Sequence, residues 1–156
     1  MHPITANNSP LMIKPPTMFL AFIMVGLVLN LVMPLATFPD YVQYLIGPFL
    51  IAEGLVMIGI AIRQLKLPQK NSKSNQATPT LVTQGIYRFS RNPIYLGMFL
   101  GCAGIALLSS NAWLLMLELP LFLIMQYGVI LREEEKLSEI FKEKYVDYQA
   151  RTRRWI

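Results

Sequence analysis

"PIYLGMFLGCAGIALLSSNAWLLMLELPLFLIMQYGVIL", residues 93–131, carries a single charged side chain, Glu118. A helix rises about 1.5 Å per residue, so roughly twenty apolar residues cross the ~30 Å hydrocarbon core of a bilayer. The stretch holds two such lengths, 93–110 and 112–131, separated only by the polar "SSNA" at 109–112. A connection that short forces an antiparallel helical hairpin. Earlier in the chain, "MFLAFIMVGLVLNLVMPLATF" (18–38) and "VQYLIGPFLIAEGLVMIGIAI" (42–62) pass the same test. With 54% hydrophobic and 15% charged residues in 156, the chain is too apolar for an ordinary soluble domain and too short for several domains. The expectation is an all-α fold: an integral membrane helical bundle of about four transmembrane helices in one domain. No small-residue cleavage site in a suitable context follows the first span, which predicts a retained helix rather than a signal peptide.

The net charge of +5 has a topological explanation. All fourteen Lys and Arg residues lie in the N-terminal tail (Lys14), in 63–91, or from Arg132 onward. The connections at 39–41 and near 111 carry none. Four spans put both termini and the middle connection on one side, and the positive-inside rule makes that side cytoplasmic. The membrane would be the plasma or inner membrane in a prokaryote and the endoplasmic reticulum in a eukaryote. A nucleic-acid partner, which a pI near 9.5 invites, thereby loses its support. The lone Cys102 gives no disulfide framework and no cysteine metal site, and no metal centre is expected.

Composition divides the chain into a polar tail (1–16), two N-terminal transmembrane helices (17–63), a solvated linker (64–80) and a second half (81–156). No internal repeat supports an inverted-repeat transporter. Glu53 and Glu118 fall inside spans, where a carboxyl group is either functional or hydrogen-bonded to a neighbouring helix. Pro34, Pro48 and Pro120 can kink those spans.

The chemistry-bearing residues gather on the cytoplasmic face of the second half. In "RFSRNPIYLG" (88–97), Asn92 and Pro93 suit an N-cap and first helical position. Arg88 and Arg91 share a face if 81–91 is helical, as do Tyr87 and Arg91. Two readings stand: the arginines snorkel to headgroups, or they fork an anionic group at a helix start. In "REEEKLSEIFKEKYVDY" (132–148), Leu137, Ile140, Phe141, Tyr145 and Tyr148 make the apolar stripe of an amphipathic helix on the cytoplasmic side. Glu133 and Glu134 project with that stripe, while Glu135, Glu139 and Glu143 form a solvated one. Inward acids facing an arginine pair at the membrane rim suit a zwitterionic ligand, or a cationic one with an anionic end.

"GIYRFSRNPIYLG", "REEEKLSEIF" and "KYVDYQARTRRWI" together resemble the isoprenylcysteine carboxyl methyltransferase family and its phospholipid methyltransferase relatives. The shared pattern is G-x-Y-x-x-x-R-H/N-P-x-Y-x-G, a Glu-Glu pair after an apolar helix, a Y-x-x-Y and a basic-aromatic tail. It covers about residues 80–156; the first two spans match only in being hydrophobic. Asn92 stands where the isoprenylcysteine enzymes usually carry His, and an amide cannot titrate near neutral pH.

The resemblance implies a membrane methyltransferase using S-adenosyl-L-methionine, with 81–156 as its cofactor-binding, catalytic half. It implies cofactor contacts from Tyr87, Arg91, Asn92, Pro93, Tyr95, Gly97, Glu133, Glu134 and Tyr148, and catalytic roles for Glu134 and Arg151. The implied partners are a lipophilic acceptor entering from the bilayer and the membrane lipids themselves. Isoprenylcysteine carboxyl O-methylation is the reaction most like it. Phospholipid N-methylation, an NADPH-dependent reductase of related architecture and a non-enzymatic membrane scaffold are the alternatives.

Overall fold

The computed structural model describes residues 14–35, 38–71 and 80–156. The tail before residue 14 and the part of the linker at 72–79 lie outside the described residues. Helix α1 spans Pro15–Val32, with prolines in its first turn, where the missing amide hydrogen is not needed. A π-helical turn, Val42–Ile46, runs into α2, Gly47–Asn71. In that turn the Gly47 amide donates to the Val42 carbonyl, five residues back, and Pro48, which has no N–H to donate, follows directly. Next come α3, Pro93–Leu108, and α4, Ala112–Ile124. A second π turn, Met125–Ile130, leads without a break into α5, Leu131–Phe141, and α6, Glu143–Arg151, closes the helical order.

Three of these helices are long and apolar enough to cross a membrane: Pro15–Val32, Val42–Lys66 and the continuous Ala112–Phe141. The fourth apolar helix, α3, has 16 residues, about 24 Å at the usual rise, and so falls short of a full span by itself. The boundaries expected for the first span (18–38) and for the linker (64–80) need redrawing. The first helix ends at Val32, leaving Pro34 outside it, and α2 carries the start of the expected linker as helix to Asn71.

Helix α3 is held from both sides. Against α2 it packs backbone to backbone: a Cβ on Gly54 would sit 2.5 Å from the Gly97 carbonyl oxygen, and one on Gly104 would sit 2.6 Å from that of Gly47. Helix α4 turns back beside α3 through Ser109–Asn111, where Ser110 takes φ +48°. Asn111 is fully buried there; its Oδ1 accepts from the Leu114 amide at 3.2 Å, and its Nδ2 donates to the Gly26 carbonyl at 3.0 Å. One side chain thus caps α4 and fastens α1 to it. Phe19, Cys102, Leu121 and Met125 form the buried core between α1, α3 and α4.

The elements after Phe141 correct the expectation of one amphipathic helix. Lys142 adopts φ +48°, which breaks the run into α5 and α6, and Ile140 ends 56% exposed instead of joining the buried stripe. The break turns α6 back so that Tyr145 and Tyr148 are buried.

The glycine crossing yields a direct test. Gly54→Ala is expected to destabilise the fold by about 1–3 kcal/mol, since a backbone atom must move to admit the methyl group. Gly59→Ala, on the same helix with nothing among the described residues within 4 Å of a Cβ, should be neutral or slightly stabilising. Thermal unfolding in detergent, followed by helical circular dichroism, distinguishes the pair.

Candidate active site

At the end of the bundle that bears the C-terminus, a positive-φ glycine starts the site. Gly85 (φ +63°) lies against the Gln64 side chain of α2, and Gln64 Oε1 accepts from the Ile86 amide at 3.1 Å. The short 3-10 turn Gly85–Arg88 that follows places Tyr87 inside. The Tyr148 hydroxyl of α6 donates to the Tyr87 carbonyl at 2.6 Å in a buried setting. Burial pushes the Tyr87 hydroxyl up to about 12 and raises that of Tyr148 as well. Both stay neutral donors through the physiological range.

Residues 88–92 then act as a cradle for the C-terminal tail. The Arg91 amide donates to the Arg153 carbonyl at 3.0 Å, and Asn92 Nδ2 donates to the Arg154 carbonyl at 3.0 Å. Ser90 reaches the same carbonyl at 3.4 Å, and Thr152 Oγ1 donates to the Arg88 carbonyl at 3.4 Å. Asn92 occupies the N-cap position of α3, but its side chain caps nothing and is spent on the tail.

The electrostatic centre is Glu134. It is buried, and Arg154 grips it through two parallel bonds, Nε to Oε1 at 2.9 Å and Nη2 to Oε2 at 2.8 Å. Arg91 Nη2 adds a third contact, 3.2 Å from Oε1. The bonds to Glu134 hold the Arg154 guanidinium above its ordinary value, so it keeps its charge. The neighbouring acid is used differently: Glu133 Oε1 accepts from the Tyr95 hydroxyl of α3 at 2.8 Å. Glu135 is exposed to solvent, so the helical phase separating 133 and 134 from 135 is the observed one. Arg91 Nε is buried with no hydrogen-bond partner among the described residues. Arg91 borders a cavity of about 280 Å³ that Tyr87, Asn92, Pro93 and Tyr95 also line.

The site residues expected from sequence therefore fall into groups. Tyr87, Arg91, Asn92, Pro93 and Tyr95 share the cavity, with Glu133, Glu134 and Tyr148 bonded to its walls. Gly97 stands apart: it faces α2, in the glycine crossing. Arg151 stands apart too, with a 79% exposed side chain 4.0 Å from Asp147 at a separate cleft of about 680 Å³ shared with Arg88 and Lys144. Sequence reasoning missed Arg154, the arginine that grips both carboxylate oxygens of Glu134. Its signal was adjacency to Trp155, whose Nε1 donates to Gln126 Oε1 at 3.0 Å and whose ring packs 5.0 Å from Phe122 and 5.9 Å from Phe99.

The family model described as phospholipid methyltransferase matches residues 42–144. The chain belongs to the phospholipid methyltransferase family. The match takes in α2 as well as the motifs at 85–97 and 132–141, a wider span on that side than the 80–156 resemblance, and stops before α6 ends. Among curated proteins, a phosphatidylethanolamine N-methyltransferase of Schizosaccharomyces pombe (strain 972 / ATCC 24843) is 35% identical over 83 residues, covering 42% of this chain and 9% of the relative. The chain thus spans less than a tenth of that relative's length. No solved structure matches it.

Removing the carboxylate should expose how much rests on it. Glu134→Gln leaves two guanidinium groups without their counter-charge, one of them 10% exposed, and is expected to cost about 3 kcal/mol. Glu135→Gln, on the solvated side, should change stability by less than about 0.5 kcal/mol. Chemical denaturation of both variants in the same detergent checks the difference.

Proposed function

We propose that this chain transfers a methyl group from S-adenosyl-L-methionine to a lipid acceptor at the bilayer rim, and that the acceptor is a phospholipid headgroup amine. Family membership supports methyl transfer, and the matched relative is named for an amine acceptor. The observation that carries the reading is the orphaned Nε of Arg91. A buried guanidinium N–H without an acceptor is costly and suits a carboxylate oxygen, the anionic end of the cofactor's amino-acid part. Tyr87 and Tyr95 line the same cavity, and their ring faces attract a sulfonium centre. The residues present thus fit the cofactor, which supplies a methyl group already activated on sulfur.

What remains for the protein is alignment, dehydration and one proton. Glu134 does not meet the ligand in this reading; it fixes Arg91 and Arg154, which close the wall. Glu133 keeps one carboxylate oxygen beyond its bond to Tyr95, and that oxygen holds the headgroup ammonium and takes its proton as the nitrogen becomes a nucleophile. Helix α6 and the tail roof the site against water. The basic end of the bundle, with both termini, lies in the cytoplasm by the positive-inside rule, and α3 completes a fourth crossing with its flanking turns.

A second acceptor class has its own observation. Arg88, Lys144 and Arg151 around the larger cleft suit an anionic acceptor such as a prenylcysteine carboxylate. Methyl transfer from labelled cofactor to phosphatidylethanolamine vesicles and to a prenylcysteine acid, run in parallel, decides between the two. Thermal stabilisation by S-adenosylhomocysteine but not by NADPH is expected; the reverse would install the reductase reading, and stabilisation by neither the scaffold.

Arg91→Lys isolates the carrying observation. The lysine keeps a cation beside Glu134 and loses the Nε–H. Calorimetry should show S-adenosylhomocysteine affinity falling by about 1.5 kcal/mol or more, roughly tenfold. Unchanged affinity in a folded variant would remove Arg91 from the cofactor site.

A further inference from the structure

Between α3 and α4 lies a groove of about 400 Å³ lined by Leu96, Phe99, Glu118, Leu119, Phe122 and Trp155. Its walls are apolar except for one group. Glu118 Oε1 is buried and has no hydrogen-bond partner among the described residues. Leu119, next to it, is 66% exposed, so the groove opens to the outside of the bundle, where an apolar helix of this length meets lipid. Nothing in the mechanism above uses Glu118.

We propose that this groove seats one acyl chain of the lipid acceptor and that Glu118 hydrogen-bonds the ester linkage at the head of that chain. The inference rests on the lipid-acceptor reading above and names the part of the lipid that is recognised. An unpaired carboxyl oxygen in hydrocarbon costs several kcal/mol, and no water is there to satisfy it. An isolated carboxylate would cost far more, so the group presents an O–H. An O–H at the floor of an apolar groove asks for a ligand that is apolar over most of its length and carries a strong acceptor at one point. A fatty acyl ester has that chemistry; an alkyl ether has the chain without the carbonyl.

The depth agrees. Leu96 follows Tyr95 directly, so the groove begins beside the Tyr95–Glu133 pair. Phe99 lies one turn further along α3, level with Trp155 and Phe122, and Glu118 lies one turn beyond Phe122 on the antiparallel α4. Glu118 is therefore about two turns, roughly 11 Å, below Tyr95. That is of the order of the separation between a headgroup amine and its acyl ester in a glycerophospholipid. An amine at Glu133 and an ester at Glu118 would set the lipid lengthwise along α3. Trp155 forms the wall between the two stations, held by Gln126, so the same tail that closes the cofactor wall shapes the chain groove.

Trp155 supplies a readout independent of turnover. The chain has two tryptophans, and Trp113→Phe leaves Trp155 as the sole tryptophan, whose emission is selected by excitation at the red edge, where tyrosine does not absorb. In that background, titration with phosphatidylethanolamine brominated on its chains should quench Trp155 by contact. The diester lipid is expected to half-saturate at about fivefold lower concentration than the diether analogue, the worth of one neutral hydrogen bond. Glu118→Leu should abolish that preference, and Glu118→Gln, which keeps a donor, should retain most of it. Equal quenching by diester and diether lipids in the Trp113→Phe protein, or a preference that survives Glu118→Leu, overturns the inference. Selective quenching in a protein that transfers no methyl group would uphold the groove and defeat the methyltransferase reading instead.

Discussion

A carboxylate withdrawn from water at the edge of a bilayer has to be met by cations, and Glu134 is met by two of them from opposite ends of the second half of the chain. Arg91 comes from the turn before α3, and Arg154 from the last residues. The bidentate geometry fixes the direction from which Arg154 arrives. That direction in turn lays the tail along residues 88–92, where backbone and side-chain bonds take up its carbonyls. Trp155 then has one place to go, between Phe99 and Phe122. Remove the carboxylate and each of these contacts loses its reason. The pair of acids also divides its work: Glu134 is met by two guanidinium groups, while its neighbour Glu133 accepts from the Tyr95 hydroxyl.

The second constraint is steric and lies inside the membrane part. Lipid gives helices no hydrophobic incentive to associate, so close packing has to hold them. The glycines at 47, 54, 97 and 104 let the α2 and α3 backbones meet without side chains between them. This fixes the rotation of α3, and its rotation decides where Tyr95 and Phe99 point. With glycines turned toward α2, the tyrosine faces Glu133 and the phenylalanine faces α1 and the tail. The placing of Tyr95 against Glu133 is thus set by a helix crossing outside the cavity.

Much of the site is legible in the order of the residues. A run of apolar residues long enough to span a bilayer has few alternatives, and the segregation of every basic residue into three segments orders the spans. Helical phase, carried backward from Leu137, is enough to separate Glu133 and Glu134 from Glu135, because within one helix a residue's face follows from its number. The motifs around Tyr87–Gly97 name the cavity's lining for the same reason: they sit within a dozen residues of each other.

The apolar helices, their antiparallel hairpin at Ser109–Asn111 and the family all follow from the residues alone. Three other features follow from packing in three dimensions: which arginine of the tail meets Glu134, that Asn92 serves the tail instead of capping α3, and that Gly97 faces a helix and not the cavity. The reason is separation. Arg151, Arg153 and Arg154 are equivalent as letters, and the choice among them depends on a bend at Lys142 and on a tryptophan finding Gln126 on another helix. Phase is propagated by a continuous helix and is lost at each break, so which arginine of the tail turns inward follows from packing.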